Sequence, residues 1–291
     1  MVKLFTGIIA ERMYKWAEEN KLLPKCQAAF RRGRSCADQI FSLSSLTYIH
    51  TRKKKRRIFA TFVGFKRAFD SVDRKMLREK LDRLGVSAKK LNILNSLYSK
   101  ARFLVRSKDG RTPPIEVTEG VLQGESLIPL LSSVFISDMD EFFSTQGCGL
   151  SITTPNRLSN VKVWGDAVVI GYSEGDTQSK LNILHKYCTI NKLTINVGKT
   201  NVMIISKKAI WSKTNFRFMY NGQEVEKVAQ YTYLGVPLTN SGPFTAVSKH
   251  FKNRGIQAIN AINAISFKGK IQNWEPKLKL FDVCIASCIL N

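Results

Sequence analysis

Residues 57–73 constrain the fold more tightly than any other stretch. They read Arg57-Ile58-Phe59-Ala60-Thr61-Phe62-Val63-Gly64-Phe65-Lys66-Arg67-Ala68-Phe69-Asp70-Ser71-Val72-Asp73. Ile58 to Val63 is an apolar run of strand length that follows six consecutive basic residues, Arg52 to Arg57. Ser71-Val72-Asp73 reads as a helix N-cap, because an apolar stripe at helical spacing (Met76, Leu77, Leu81, Leu84) follows at once. A strand that feeds a helix presents its last residues at a sheet edge, where catalytic groups are often held on connecting segments.

The rest of the chain alternates helical and strand periodicity. Residues 3–19 predict an amphipathic helix with Leu4, Ile8, Met13 and Trp16 near one face. Gly33 then breaks the segment Gln27-Ala28-Ala29-Phe30-Arg31-Arg32-Gly33-Arg34-Ser35, ahead of a helix at 36–50. Helices are expected at 73–84 and 88–100, separated by Gly85 and a candidate N-cap at Ser87. Residues 101–119 predict a β-hairpin turning at Lys108-Asp109-Gly110. A glycine-rich turn at 119–126 leads to a helix with Pro129 in its first turn, where the missing N–H costs nothing. Val161-Lys162-Val163 and Ala167-Val168-Val169-Ile170 flank Trp164-Gly165-Asp166, a hairpin signal, and a helix follows at about 176–190. Two helices are expected over 245–290, with a basic face of Lys249, Lys252, Arg254, Lys268 and Lys270.

Six of these stretches, in one order, resemble the motifs of reverse transcriptases from LINE-type non-LTR retrotransposons. Phe62 to Val72 resembles F-x-D-F-K-x-A-F-D-S-V, with Gly64 at the first aspartate. Gln27 to Ser35 resembles Q-x-G-F-R-x-G-R-S, with Ala29 for a glycine. Gly120-Val121-Leu122-Gln123-Gly124-Glu125-Ser126-Leu127-Ile128-Pro129-Leu130-Leu131 resembles G-V-x-Q-G-x-P-L-S-P-L-L, from which Ser126 and Ile128 depart. Trp164-Gly165-Asp166-Ala167 stands where the family has Y-A-D-D, so Ala167 replaces the second aspartate. Leu193 to Met203 resembles L-x-I-N-x-x-K-T-x-x-M, and Tyr233-Leu234-Gly235 matches a Y-L-G turn.

The resemblance implies an α/β (α+β) right-hand polymerase: an antiparallel palm sheet backed by helices, partial fingers, and the start of a thumb. It implies partial fingers at 1–57, a palm with inserted fingers elements at 58–240, and a thumb beginning at 241–291. The family pattern has further fingers strands and an endonuclease domain upstream, so a polymerase core cut at both ends is expected. Marginal stability follows from the sheet edge and apolar surface that would be left uncovered.

Roles carry over position by position. Asp166 is the surviving metal ligand, and Gly64 and Ala167 are the substituted ones. Lys199 would help protonate the pyrophosphate leaving group; taken alone it reads as a surface lysine beside a strand. Phe69 would exclude a ribose 2′-hydroxyl, and Gln123 and Gly124 would lie against the incoming nucleotide. Arg31, Arg32 and Arg34, with the Ser35 hydroxyl, suit phosphate contacts, which position a nucleic acid without reading its sequence. Tyr233, Leu234 and Gly235 would support the primer end.

Such enzymes use two Mg²⁺ ions, roughly 3.5–4 Å apart, to stabilise the attacking and leaving oxygens. Hard cations of this kind need carboxylate oxygens. With only Asp166 left of three aspartates, the expectation is an inactive polymerase. Asp70 and Asp73, six and nine residues beyond Gly64, read instead as loop and cap residues. Three readings compete. The first is a catalytically dead reverse transcriptase domain acting by descent on an RNA template and DNA primer. The second is a non-catalytic RNA- or DNA-binding protein derived from a retroelement. The third is an enzyme working weakly with Mn²⁺ through Asp166.

Charge points to the same partner class. The 291-residue chain has 46 Lys and Arg against 22 Asp and Glu, a formal charge of +24, spread along its length. Self-repulsion of that size disfavours a compact state unless a polyanion offsets it, and nucleic acid is the expected polyanion. The run Arg52 to Arg57 fits a nuclear-import signal, a phosphate contact or a solvated turn. Cys26, Cys36, Cys148, Cys188, Cys284 and Cys288 form no C-x-x-C pair, which disfavours zinc, and free thiols suit an intracellular protein, nuclear or cytoplasmic. No apolar run is long enough to span a membrane, and Met1 to Thr6 does not read as a secretory leader.

Overall fold

β1 (Arg57–Gly64) is a central strand of the main sheet, and from Ile58 onward it is buried on both faces. That is why it reads as a continuous apolar run rather than an alternating one. The computed structural model describes residues 2–24, 27, 31–52, 56–99, 101–108, 110–116, 120–121, 126–147, 160–161, 166–207, 215–241, 244–269 and 273–281.

In chain order, α1 (Val2–Glu19) and α2 (Cys36–Thr51) precede β1. α3 (Arg74–Arg83) and α4 (Ala88–Ser99) follow it. Next come four short strands, β2 (Arg102–Phe103), β3 (Arg106–Ser107), β4 (Gly110–Arg111) and β5 (Ile115–Glu116). α5 (Ile128–Phe135) and α6 (Met139–Thr145) lead to β6 (Asn160–Val161) and β7 (Asp166–Gly171). α7 (Glu174–Ile190), a 3₁₀ turn at Val197–Lys199 and β8 (Asn201–Ser206) come next. The chain then runs through β9 (Phe218–Tyr220), β10 (Gln223–Lys227), β11 (Gln230–Tyr233) and β12 (Val236–Thr239) to α8 (Phe244–Lys268) and α9 (Trp274–Phe281).

The main sheet has the order β6-β7-β1-β8-β10-β9. The expected antiparallel arrangement holds from β6 to β8, but β10 joins β8 in parallel, so the sheet is mixed. Strand alternation sends Phe59, Val63, Ala167, Val169, Val202 and Ile204 into one core, closed by α3 to α7 and by α1. Ile58, Ala60, Phe62, Val168, Ile170, Met203 and Ile205 enter a second core on the other face, closed by Leu43 of α2 and by Tyr233, Val236 and Leu238 of the β11–β12 hairpin.

The helices fall where periodicity places them, but the inward face of α1 differs from the expectation. Leu4 and Ile8 are 67% and 48% exposed, whereas Thr6, Ala10, Met13 and Ala17 are buried. The buried set recurs at helical spacing and is built mostly from small side chains, which let α1 lie close to α5. Of the two cysteines described, Cys36 is exposed and Cys188 is buried, and burial pushes the Cys188 thiol up to about 12.

The N-cap of α3 is Asp73, whose Oδ1 accepts from Met76 N at 2.9 Å while Oδ2 meets Lys192 Nζ at 2.6 Å. The Lys192 hydrogen bond, and then the Met76 amide, hold the Asp73 carboxyl below its usual range. The Glu18 carboxyl is held down in the same way, chiefly by its hydrogen bond from Arg31. A depressed native pKa contributes stability that is present above the unfolded carboxylate value, about 4, and is lost as pH falls through the native value. Thermal midpoints between pH 6 and pH 3 should therefore fall more steeply for the parent chain than for Asp73→Asn. Parallel curves would rule out this linkage.

Candidate active site

The C-terminal end of β1 meets the start of β7 in register, with Gly64 paired to Asp166 and Val63 to Ala167. These are the three positions where the family motifs carry aspartates, and the fold brings them to one corner. From there the chain crosses to the 194–200 segment. Lys66 N donates to Thr194 O at 2.8 Å, and Asn196 N donates to Gly64 O at 2.8 Å. Gly64 N in turn donates to the Thr200 hydroxyl at 3.2 Å. Phe65 forms a bridge with Ile195. The 3₁₀ turn that carries Lys199 is thereby laced onto the end of β1.

The lacing leaves no space above Gly64. A Cβ at that position would stand 2.9 Å from Lys199 Cβ and 3.3 Å from Lys199 O. Ala167 is 2% exposed and packs in the same apolar core as Val63 and Val169. Lys199 is exposed, and with Gly64, Phe65, Gly198, Asn201, Tyr231 and Thr232 it lines an open pocket of about 470 Å³. The residues here do not suit a pair of divalent cations. Hard ions need several carboxylates, and Gly64 and Ala167 supply none. Among the described residues no three His, Cys, Asp or Glu side chains converge to hold a metal.

Phe69 and Asp70 sit in the turn between β1 and α3, and a second segment locks that turn in place. Gly120 N donates to Val72 O at 3.1 Å, and Val121 N donates to Phe69 O at 3.1 Å. Arg74 Nε donates to Gly120 O at 2.8 Å. Phe69 is half-buried against the larger core, while Asp70 is exposed. Gln123 and Gly124 lie outside the described residues.

The three arginines of the 27–35 segment divide in role. The Arg31 side chain is 8% exposed and carries its bonds inward, to both carboxylate oxygens of Glu18 and to the carbonyls of Pro24 and Gln27. It braces the turn after α1, so the phosphate contact expected of it would have to compete with Glu18. The Ser35 hydroxyl is likewise spent, capping α2 in a reciprocal box with Asp38. Arg32 is 77% exposed and pairs with Glu11, and Arg34 is exposed. An exposed pair of this kind contributes little to stability, so Arg32 can exchange Glu11 for another anion.

Tyr233, Leu234 and Gly235 form the tip of the β11–β12 hairpin. Tyr233 pairs with Val236 across a two-residue turn in which Leu234 and Gly235 have φ of 50° and 80°. Both residues are left-handed, as a type I′ turn requires, and leucine is an unusual occupant of that conformation. Tyr233 is fully buried, and Tyr231 stacks on Phe62 with ring centroids 4.0 Å apart. This tip is therefore packed on the same β1 strand that carries Gly64. The lysines Lys249, Lys252 and Lys268 of α8 are exposed, and Arg254 is half-buried.

Comparison with known proteins agrees with this arrangement. Residues 1–238 match the family model described as "Reverse transcriptase (RNA-dependent DNA polymerase)". The chain is 25% identical to the "Probable RNA-directed DNA polymerase from transposon BS" of Drosophila melanogaster, over 98% of this chain and 31% of that protein. It is 24% identical to the "RNA-directed DNA polymerase from mobile element jockey" of Drosophila funebris, again over 98% of this chain and 31% of that one. It thus spans about a third of the length of these relatives.

Among solved structures, apo telomerase from Candida tropicalis truncated from its C-terminal domain aligns with a TM-score of 0.54 at 12% identity, over 82% of this chain and 44% of that one. Telomerase from Candida albicans in complex with a telomeric RNA fragment aligns with a TM-score of 0.51 at 15% identity, over 98% of this chain and 48% of that one. At such low identity these likenesses speak to the fold, a right-hand polymerase. The chain belongs to the reverse transcriptase family, as a domain of the kind carried by LINE-type non-LTR retrotransposons.

Proposed function

We propose that this domain keeps the nucleic-acid grip of a reverse transcriptase but does not carry out nucleotidyl transfer. In this reading residues 58–240 are the palm, 1–57 the partial fingers and 241–291 the start of the thumb. An RNA template and DNA primer are held by Arg32 and Arg34, by the hairpin tip at 233–235 and by the exposed lysines of α8. Phe69, Gln123 and Gly124 border the nucleotide position, and Lys199 faces the phosphate side of the pocket. Mg²⁺, which the family uses, would find only Asp166 of its three carboxylate positions here.

The observation that carries the reading is the closure over Gly64. The strand end that should present a carboxylate presents a glycine, with the backbone of Lys199 3.3 Å from any Cβ placed there. Removing one positioned electrostatic group typically costs roughly 10²–10³ in rate, and here two ligand positions are lost.

Primer extension on an RNA template tests the reading, with Mg²⁺ and then Mn²⁺, using Asp166→Ala as the control for contaminating polymerase. No incorporation by the unmodified chain is expected in either metal. Incorporation that disappears in Asp166→Ala would instead establish a working one-carboxylate enzyme. Binding is read separately, by anisotropy of a labelled RNA–DNA hybrid. Tight binding that weakens steeply with salt marks a retained grip, and absence of binding removes that half of the reading.

A further inference from the structure

At the opposite end of β1 from Gly64 lies a second open pocket, of about 520 Å³, lined by His50, Arg56, Arg57, Tyr172, Ser173, Glu174 and Gly175. That volume is in the range of small-ligand sites. β1 runs from Arg57 to Gly64, so seven strand steps separate the two places, roughly 23 Å at about 3.3 Å per residue. Three segments build the pocket: the end of α2, the start of β1 and the β7–α7 turn. His50 and Tyr172 form one wall, with ring centroids 4.5 Å apart and planes tilted by 46°.

Arg56 is exposed and makes no ion pair among the described residues. Arg57 is engaged only loosely by Glu174, at 3.6 Å, with both side chains about one-third exposed. Glu174 lines the pocket, and Asp176 lies two residues beyond it. Asp176 is committed elsewhere, accepting from Tyr172 N at 2.9 Å and pairing with Lys180 at 3.0 Å. Two adjacent guanidinium groups are the side chains best matched to a phosphate, through paired N–H donors. The Ser173 oxygen accepts from Asp176 N to cap α7, which leaves its O–H able to donate to the same phosphate. Aromatic rings beside a cationic groove suit an unpaired base, which every nucleotide can offer.

We infer that this pocket holds the backbone of a single-stranded nucleic acid, at a site separate from the primer–template position at Gly64. The run Arg52 to Arg57, which by its charge fits a phosphate contact, supplies its two arginines. A phosphodiester entering here displaces Glu174 from Arg57 and takes both guanidinium groups, while a base lies on the His50–Tyr172 wall.

The test is anisotropy of a labelled 12-nucleotide oligouridylate with the full chain and four variants. Arg56→Gln with Arg57→Gln is expected to weaken binding at least tenfold. It should also lower the slope of log affinity against log salt by about 1.4, two single-strand phosphate contacts at about 0.7 each. Lys89→Gln with Lys186→Gln removes the same charge from exposed positions elsewhere and should weaken binding less than threefold. Arg56→Gln alone, which disturbs no described ion pair, should give part of the loss. Glu174→Gln should tighten binding two- to threefold by releasing Arg57.

Equal losses in the two double variants would overturn the site in favour of general charge attraction. So would a Glu174→Gln variant that binds no better than the parent. Equal competition by an oligoglutamate of the same length would overturn the assignment to nucleic acid. None of these readouts involves nucleotide incorporation, so the site can fail or stand independently of whether the domain is catalytically silent.

Discussion

Putting both missing carboxylates back, as Gly64→Asp with Ala167→Asp, is expected to disrupt the fold rather than restore a polymerase. At position 64 the new Cβ meets Lys199 Cβ at 2.9 Å and the Lys199 carbonyl oxygen at 3.3 Å. The lysine side chain can swing away, but its Cβ and backbone cannot move without breaking the hydrogen bonds that tie residues 196 and 200 to Gly64. Overpacking of this kind costs about 1–3 kcal/mol, and the carboxylate would stand beside a carbonyl oxygen.

Position 167 is worse. Ala167 is 2% exposed among Val63, Val169 and the other apolar side chains of the larger core. Burying an unpaired carboxylate there costs several kcal/mol or forces the group to stay protonated. Together these penalties approach the whole stability of an ordinary domain, about 5–15 kcal/mol. Chemical denaturation with circular dichroism should show each single variant destabilised, Ala167→Asp the more, and the double variant largely unfolded. Primer extension by the double variant should be absent. A double variant as stable as the parent and active in extension would mean that β7 pairs with β1 in a different register from the one described.

The second large effect is expected at Gly120. Gly120 has φ of +75°, and a Cβ built on it would stand 2.6 Å from both the Cα and the carbonyl oxygen of Asp70. These are backbone atoms with no rotamer to yield. Gly120→Ala therefore combines left-handed strain, about 1–2 kcal/mol, with a backbone collision that must push the two segments apart. It should cost more than about 3 kcal/mol. The hydrogen bonds from Gly120 N to Val72 O and from Val121 N to Phe69 O would be lost with it. Since those bonds hold the turn that carries Phe69, hybrid binding should fall along with the denaturation midpoint. A midpoint within error of the parent would show that the contact between the 120–121 segment and the 69–73 turn is not maintained in solution.

Both predictions thus turn on the same few backbone contacts around the end of β1. The Gly64 corner is held by the 194–200 segment on one side and by the Phe69 turn and Gly120 on the other. Gly64 stands where the family motif has aspartate, and the Lys199 turn lies directly over it. The packing here requires glycine, so an aspartate at that single residue is opposed by the structure around it.

Much of this was legible in the chain itself. The apolar run Ile58 to Val63 announces a buried central strand. Asp73 before Met76 and Leu77 announces a helix start, and the motifs around Gly64, Asp166, Lys199 and Tyr233 give the family and the expected corner. These signals are local: a period, a cap and a turn each fix the conformation of a few neighbouring residues. The departures from the family motif at Gly64 and Ala167 are equally visible, because a motif position is a chemical identity before it is a place in the fold.

Other features depend on residues far apart in sequence, which no local pattern encodes. Leu4 and Ile8 suggest one inward face for α1, but Thr6, Ala10, Met13 and Ala17 are the buried set, because what lies against a helix decides which of its faces is buried. The sequence suggests a phosphate contact for Arg31, and only the fold surrounds it with Glu18 and the carbonyls of Pro24 and Gln27. The parallel addition of β10, the burial of Ala167 and the collision that awaits a side chain at Gly64 or Gly120 arise only when distant segments are brought together. The sequence determined which residues stand at the family's motif positions and which strand they stand on. The tertiary structure decided which of them remain reachable, because close packing leaves each position only the space its neighbours do not take.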